Sequence, residues 1–279
     1  MNKTSAPVRE SVIRATSGWQ SVNLPELWQY RDLLRFLVIR GFKAKYAQSI
    51  LGVGWAVIQP LAQTMVFTVI FGNLAQLGSD GVPYILFSFT AMVPWNYFSG
   101  TLTGSSASLV QQKAMLSKVY FPRLMLPLAA VFTGFVDFSV GMLVLLGLLL
   151  WYGFMPGATL VVFPLLLLIL IFTALGSGMI LSAMALQYRD VNYALPFLVQ
   201  ILLYAVPVVY SVDLIPTEWL YVYALNPMVG VIEGMRAVFL QTKAVPWTLI
   251  CIGGGTSFLL FVFGGFYFRR MERRFADIA

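Results

Sequence analysis

Long apolar runs dominate the chain and set its plan. Stretches of about 20 apolar residues, the length that crosses a bilayer core, fall at roughly 53–73, 82–102, 124–151, 160–187, 194–211 and 247–268. They predict six membrane-spanning helices. Ahead of them, Leu27, Tyr30, Leu33, Leu34, Leu37 and Val38 recur at helical spacing, while Glu26, Arg31, Asp32 and Arg35 take the other face. This pattern predicts an amphipathic helix from Glu26 to Tyr46 lying on the membrane surface. Residues 1–25 are polar and lack the basic flank, apolar core and cleavage site of a signal peptide, so they read as a retained tail. The chain thus divides into a tail and surface helix (1–50), a six-span domain (51–270) and a short second tail (271–279).

Residues 212–246 fit neither a crossing nor an aqueous loop. They are apolar, yet Pro216, Asn226, Pro227, Glu233 and Arg236 interrupt them, so each half is too short to span. Two readings stand. Two short helices dip into the outer leaflet, which requires burial in protein or a water-filled cavity beside them. Alternatively, two amphipathic helices rest on the outer surface with Trp219 and Tyr221 as interfacial anchors.

Composition agrees with a bilayer as the main solvent. Of 279 residues, 59% are hydrophobic and 10% charged, and the mean hydropathy is +0.82, which excludes a water-soluble globule. Histidine is absent and Cys251 stands alone, excluding disulfide frameworks, thiolate metal clusters and imidazole acid-base chemistry. The formal charge of +7 is explained by position. With six spans, 16 of the 18 Lys and Arg residues fall on one face, and only Arg236 and Lys243 fall opposite. The positive-inside rule then puts both termini and the loops after spans 2 and 4 in the cytosol. No nucleic-acid partner is needed.

No G-x-x-x-x-G-K-[ST] stretch exists to cradle nucleotide phosphates. The most informative cytosolic patch runs from Gln111 through Gln112, Lys113, Met115, Leu116, Lys118, Tyr120 and Phe121 to Pro122 and Arg123. It reads as an amphipathic helix stopped by Pro122. Its exposed apolar residues, mixed with Lys, fit either a protein partner or a bed of lipid headgroups.

Four motifs follow one another in order: Leu51-Gly52-Val53-Gly54-Trp55-Ala56-Val57-Ile58-Gln59-Pro60-Leu61, Lys118-Val119-Tyr120-Phe121-Pro122-Arg123, Tyr188-Arg189-Asp190-Val191 and Leu225-Asn226-Pro227-Met228. Together with the six spans they closely resemble the membrane subunit of the polysaccharide-exporting ABC transporters, the family that exports O-antigen, capsule and teichoic-acid chains. The resemblance covers roughly residues 27–270. It implies an all-α protein of the cell inner membrane: six transmembrane helices per subunit, an N-terminal interface helix, and two short re-entrant gate helices between spans 5 and 6. It also implies a homodimer, two separate ATP-binding subunits that carry ATP and Mg, and a cargo of polysaccharide on a polyprenyl pyrophosphate lipid. No cofactor is expected on this chain. By the same resemblance, residues 112–121 look like the helix that couples to the ATPase, and 213–240 like the gate, including Trp219, Tyr221, Asn226, Pro227, Glu233 and Arg236.

Several side chains suit such cargo. Gln59 and Gln63 lie one helical turn apart, and Gln200 and Tyr204 repeat the spacing. They form either a hydrogen-bonding stripe for sugar hydroxyls or polar glue between helices. Phe67, Phe71, Trp95, Tyr97 and Tyr210 are candidates for a surface on which pyranose rings slide. Arg40, Lys43 and Lys45 are placed to grip a pyrophosphate headgroup or simply to signal topology. Arg189 and Asp190 form a local ion pair that either anchors a helix end or meets the ATPase. Asp137 lies near mid-membrane, where a charge costs roughly 2.5–3.5 kcal/mol, so it is expected to be protonated, paired or facing water. Ala174, Gly178 and Ser182, and Gly100 with Gly104, are small residues at four-residue spacing and predict close helix packing.

Two other functions compete. A membrane enzyme of envelope glycan assembly needs convergent acids or a His base, but Asp190, Asp213, Glu218 and Glu233 are scattered over both sides. An ion-coupled secondary transporter calls for inverted repeats and discontinuous helices, and Asp137 alone makes a poor ion site.

Overall fold

The computed structural model describes residues 24–47, 49–116, 118 and 120–272. Most of the N-terminal tail, Ser117 and Val119 of the basic patch, and residues 273–279 lie outside the described residues. Among the described residues every regular element is helical. In chain order these are α1 (Leu24–Gln29), α2 (Arg31–Tyr46), α3 (Trp55–Phe67), α4 (Tyr84–Gln111), α5 (Lys113–Leu116), α6 (Met125–Tyr152), α7 (Phe163–Gln187), α8 (Asp190–Ala205), α9 (Thr217–Ala224), α10 (Pro227–Phe239) and α11 (Trp247–Glu272). Turns of π-helix over Thr68–Leu74 prolong α3.

Four stretches, Gly52–Leu74, Met125–Tyr152, Ala158–Gln187 and Trp247–Glu272, are long and apolar enough to cross a membrane. The two other expected spans are different in kind. α4 has 28 residues, but Thr90, Thr101, Ser105 and Ser106 are buried along it. α8 has only 16 residues and ends at Ala205, short of the expected 211. Pro207 explains the early stop: it lacks an N–H and drives the residue before it out of the helical region, and Val206 is accordingly extended at φ −117°, ψ 155°.

α4 is the hub, packing on α3, α6, α7, α8 and α10. Beside it α7 and α11 meet backbone to backbone. A Cβ added at Gly264 would stand 2.4 Å from the Gly176 carbonyl oxygen, and one at Gly176 2.6 Å from the Leu260 carbonyl. The stripe of Ala174, Gly178 and Ser182 is buried as expected, with Gly178 against Ser105. Gly100 departs from expectation, since a Cβ there would stand in open space. Gly100 therefore opens a groove rather than drawing helices together.

The amphipathic segment is a kinked pair, α1 and α2, rather than one helix, and α2 is no simple surface helix. Leu37 is buried with Leu126 and Ala129, Gly41 faces Thr133, and Lys45 and Tyr46 reach Asp137. Contacts advance four residues at a time on both helices and in the same direction, so α2 runs parallel to the first three turns of α6. Within the apolar stripe Leu37 is buried and Leu33, Leu34 and Val38 are half-buried, packed against protein.

The two short helices after α8 are not equivalent. α10 is buried along its whole length, from Pro227 to Phe239, and packs on α4, α7 and α11. α9 is largely exposed, with Trp219 and Tyr221 outward.

Replacing Gly264 by Ala should force the two backbones apart and cost about 1–3 kcal/mol. Thermal unfolding in detergent micelles checks this, and Gly100→Ala should leave the midpoint unchanged.

Candidate functional site

A groove with many polar residues lies between α2, α3, α4 and α6. Asn96, Gly100, Gly104, Ser108 and Gln112 recur every fourth residue, so they line one face from mid-α4 to just beyond its end. Two adjoining cavities of about 530 and 590 Å³ open on this face and share Lys45, Asn96, Tyr97, Gly100 and Asp137. Where they join, Lys45 Nζ donates to Asp137 Oδ2 at 2.5 Å, and the Tyr46 hydroxyl donates to Asp137 Oδ1. Asp137 is thus paired, one of the outcomes its position demanded. Tyr97 and Thr101 are buried beside it.

The residues assigned to a passage divide into two sets. Gln59, Gln200 and Tyr204 are exposed and Gln63 half-buried, on open faces of α3 and α8. Phe67, Trp95 and Tyr97, by contrast, are buried in the main core. They offer no sliding surface in this conformation, because α4 is enclosed by five neighbours and its aromatic rings fill the bundle. Phe71 packs edge-on against Phe67 at 5.7 Å. Tyr210 donates to the Tyr204 carbonyl at 3.1 Å and meets the Tyr223 hydroxyl at 2.9 Å.

At the basic end of the bundle the expected coupling helix is short. It spans Lys113–Leu116 and is separated from α4 at Gln112, which accepts from Arg40 Nη2 at 3.0 Å. Lys113, Lys118 and Tyr120 are exposed and Met115 half-buried. Phe121 is a correction: it is only 5% exposed, packed with Leu37, Leu109 and Phe268, since Pro122 turns the chain inward ahead of α6. The Tyr120 hydroxyl donates to Glu26 Oε1 at 3.2 Å. Burial first, and then the Glu26 carboxylate, push this phenol above its ordinary range. Glu26 also lies 3.9 Å from Arg269, which pairs with Glu272 at 3.0 Å. Arg123 Nη1 donates to the Glu272 carbonyl at 3.0 Å, so α1, the basic loop and α11 form one cluster. Arg189 and Asp190 are exposed where α8 begins, and Ser106 donates to Asn192 at 2.9 Å, tying α8 to α4.

Of the three basic residues assigned to a lipid headgroup, Lys43 is exposed, while Arg40 and Lys45 already hold Gln112 and Asp137. At the far end Asn226 caps α10 by accepting from the Met228 N–H at 3.1 Å, with Pro227 at the first helical position. Arg236 Nη1 donates to Glu233 at 2.7 Å and to the Tyr210 carbonyl at 3.2 Å. Its Nη2 donates to the Val208 carbonyl at 2.9 Å, and its guanidinium lies 3.4 Å from the Phe87 ring centroid. Nearby, Lys243 bridges Asp80 at 3.0 Å and Asp213 at 2.5 Å. Burial lowers the Lys243 pKa, but the bonds to the two carboxylates outweigh it and hold the ammonium above the ordinary 10.5.

Sequence reasoning missed Tyr46, Asn96, Thr101 and Asp80. Asn96 was findable, because the four-residue repeat down to Gln112 is visible once Gly100 and Gly104 are seen as part of it. Asp80 was not, since its partner lies far along the chain.

The family model for ABC-2 type transporters matches residues 32–240. The chain belongs to that family. Among curated proteins, this ABC-2 chain is 31% identical over 220 residues to an O-antigen export system permease protein, RfbA, of Myxococcus xanthus, covering 78% of this chain and 84% of the relative. It is 27% identical over 248 residues to the protein of the same name from Klebsiella pneumoniae, covering 88% and 95%. The resemblance carried by the four motifs is therefore sound, and this ABC-2 chain is a membrane component rather than a soluble one.

Phe121→Ala should destabilise the fold by about 3–5 kcal/mol, whereas Tyr120→Ala should shift it by less than about 1 kcal/mol, both read by thermal unfolding. Because the Lys243 pKa is raised on folding, its contribution is complete below 10.5 and is lost as pH rises through the higher folded value. The melting temperature should therefore carry an alkaline fall that Lys243→Met lacks.

Proposed function

We propose that this chain is the permease subunit of an ATP-driven exporter that passes polyprenyl-pyrophosphate-linked polysaccharide, of O-antigen type, across the cytoplasmic membrane. The reading rests on Gln59 and Gln200, amides exposed on α3 and α8 among mostly apolar neighbours. Lipid gives such groups no hydrogen bond. A hydroxyl-rich chain passing between two copies does, and a pair of subunits related by twofold symmetry supplies the stripe from both sides. The names of the relatives point to the same cargo class.

In this arrangement α3 with its π-helical turns, α4, α6, α7, α8 and α11 are the six spans, and both termini are cytosolic. Lys113, Met115, Lys118 and Tyr120, with Arg189 and Asp190 nearby, face two ATP-binding subunits, which hold the nucleotide and Mg. α9 covers the outer mouth and α10 anchors it. The bonds from Lys45 and Tyr46 occupy Asp137, which disfavours an ion-coupled carrier.

Deleting the gene should leave finished polymer inside the cell, and unchanged surface glycan would defeat the assignment. Gln59→Leu or Tyr204→Leu should slow export about fivefold, the worth of one hydrogen bond, with expression unchanged. Lost expression at normal specific export would make these residues helix glue.

A further inference from the structure

A cavity of about 400 Å³ lies where α9 and α10 stand, and it shares no lining residue with the groove between α2, α3, α4 and α6. Its size is that of a small-ligand site, about 300–1,000 Å³. Segments distant in the chain meet around it: Asp80 from the turn before α4, Asp213 and Tyr221 from before and within α9, Glu233 from α10, and Lys243 and Thr248 at the start of α11 and just ahead of it. Lys243 spends its ammonium on Asp80 and on Asp213 Oδ2, while Arg236 takes Glu233 Oε1. Two carboxylate oxygens are left over. Asp213 Oδ1 and Glu233 Oε2 accept no hydrogen bond from any described residue, and Glu233 is only 4% exposed. A carboxylate oxygen so far withdrawn from bulk water demands a donor.

The lining discriminates between ligands. Three carboxylates, Asp80, Asp213 and Glu233, face two cations, Lys243 and Arg236, so the surplus charge is negative and repels an anion. A bare metal ion is ill served as well, because Lys243 already stands between Asp80 and Asp213, and Leu220, Pro246 and Leu249 fill much of the remaining wall without a side-chain oxygen to offer. A neutral polyol suits every part. Its hydroxyls donate to the spare oxygens and accept from Thr248, and the C–H face of a sugar ring lies against the exposed Tyr221 ring and the leucines.

We propose that this cavity is a glycan-binding subsite apart from the stripe of Gln59 and Gln200, holding a short stretch of neutral sugar through Asp213, Glu233 and Tyr221. The choice of a glycan among hydroxylated ligands rests on the export reading; the two spare oxygens do not. Carboxylates and an aromatic ring recognise hydroxyls and ring faces common to most hexoses, so the subsite tolerates many sugars and holds each weakly.

Full-length chain in phospholipid nanodiscs, free of maltoside detergent, is titrated with mannotriose, maltotriose and cellotriose, and saturation-transfer difference NMR reads contact with the protein. The wild type should give transfer to the sugar ring protons at millimolar affinity, and empty nanodiscs none. Tyr221→Ala should weaken binding about fivefold and Asp213→Ala about tenfold. Thr248→Trp, which fills the cavity from an exposed position, should abolish the signal at an unchanged melting temperature. Silence from all three sugars, or a signal that none of the variants moves, would overturn the proposal. A melting temperature raised by sodium or magnesium and not by the sugars would overturn it too, in favour of a cation site. Export is read separately from surface glycan: if that reading failed, gene deletion would leave surface glycan intact while sugar contact persisted, and if the subsite failed, the deletion phenotype would stand.

Discussion

The far half of the bundle is organised around one buried guanidinium. Residues 206–210 leave the helical path in an apolar interior, where backbone carbonyls without donors are strongly unfavourable. Arg236 answers that demand from α10, donating to the carbonyls of Val208 and Tyr210 while Glu233 balances its charge and Phe87 covers its face. The same contacts hold the chain that follows α8 and fix where α10 sits against α4. An arginine suits the position because its planar fork reaches several acceptors at once. Burying the pair adds little net stability by itself, but removing either member leaves a charge in a dry interior.

At the basic end the logic is distributed. Glu26, Tyr120, Arg269, Glu272 and Arg123 tie three elements together through partly exposed bonds. Bonds of this kind are individually weak and screened by salt. The two ends therefore differ in stiffness: one is welded by a desolvated cation, the other held by exchangeable contacts.

Much of the plan was legible because periodicity survives translation into three dimensions. The apolar runs mark α3, α6, α7 and α11, and the stripe from Leu27 to Val38 lies over α1 and α2, with Leu37 buried and the others half-buried. Gly178 and Ser182 announce close packing correctly. What stayed hidden were pairings between distant segments. Nothing local tells that Lys45 meets Asp137, or that Lys243 meets Asp80, because ion pairs carry no periodic signature. Phe121 was misread as exposed for a related reason, since a residue beside a loop proline points wherever the chain turns next. Trp95 and Tyr97 were read as accessible because the hub position of α4 is a property of topology, not of its own sequence.

The contact of Gly176 with Gly264 has a mechanical consequence. Where two helices touch main chain to main chain, with Phe172 stacked on Phe261 beside the contact, little room is left for either to shift against the other. With α10 wedged beside them they form a stator, and displacement during any working cycle falls to α2, α3, α8 and α9, whose faces stand open.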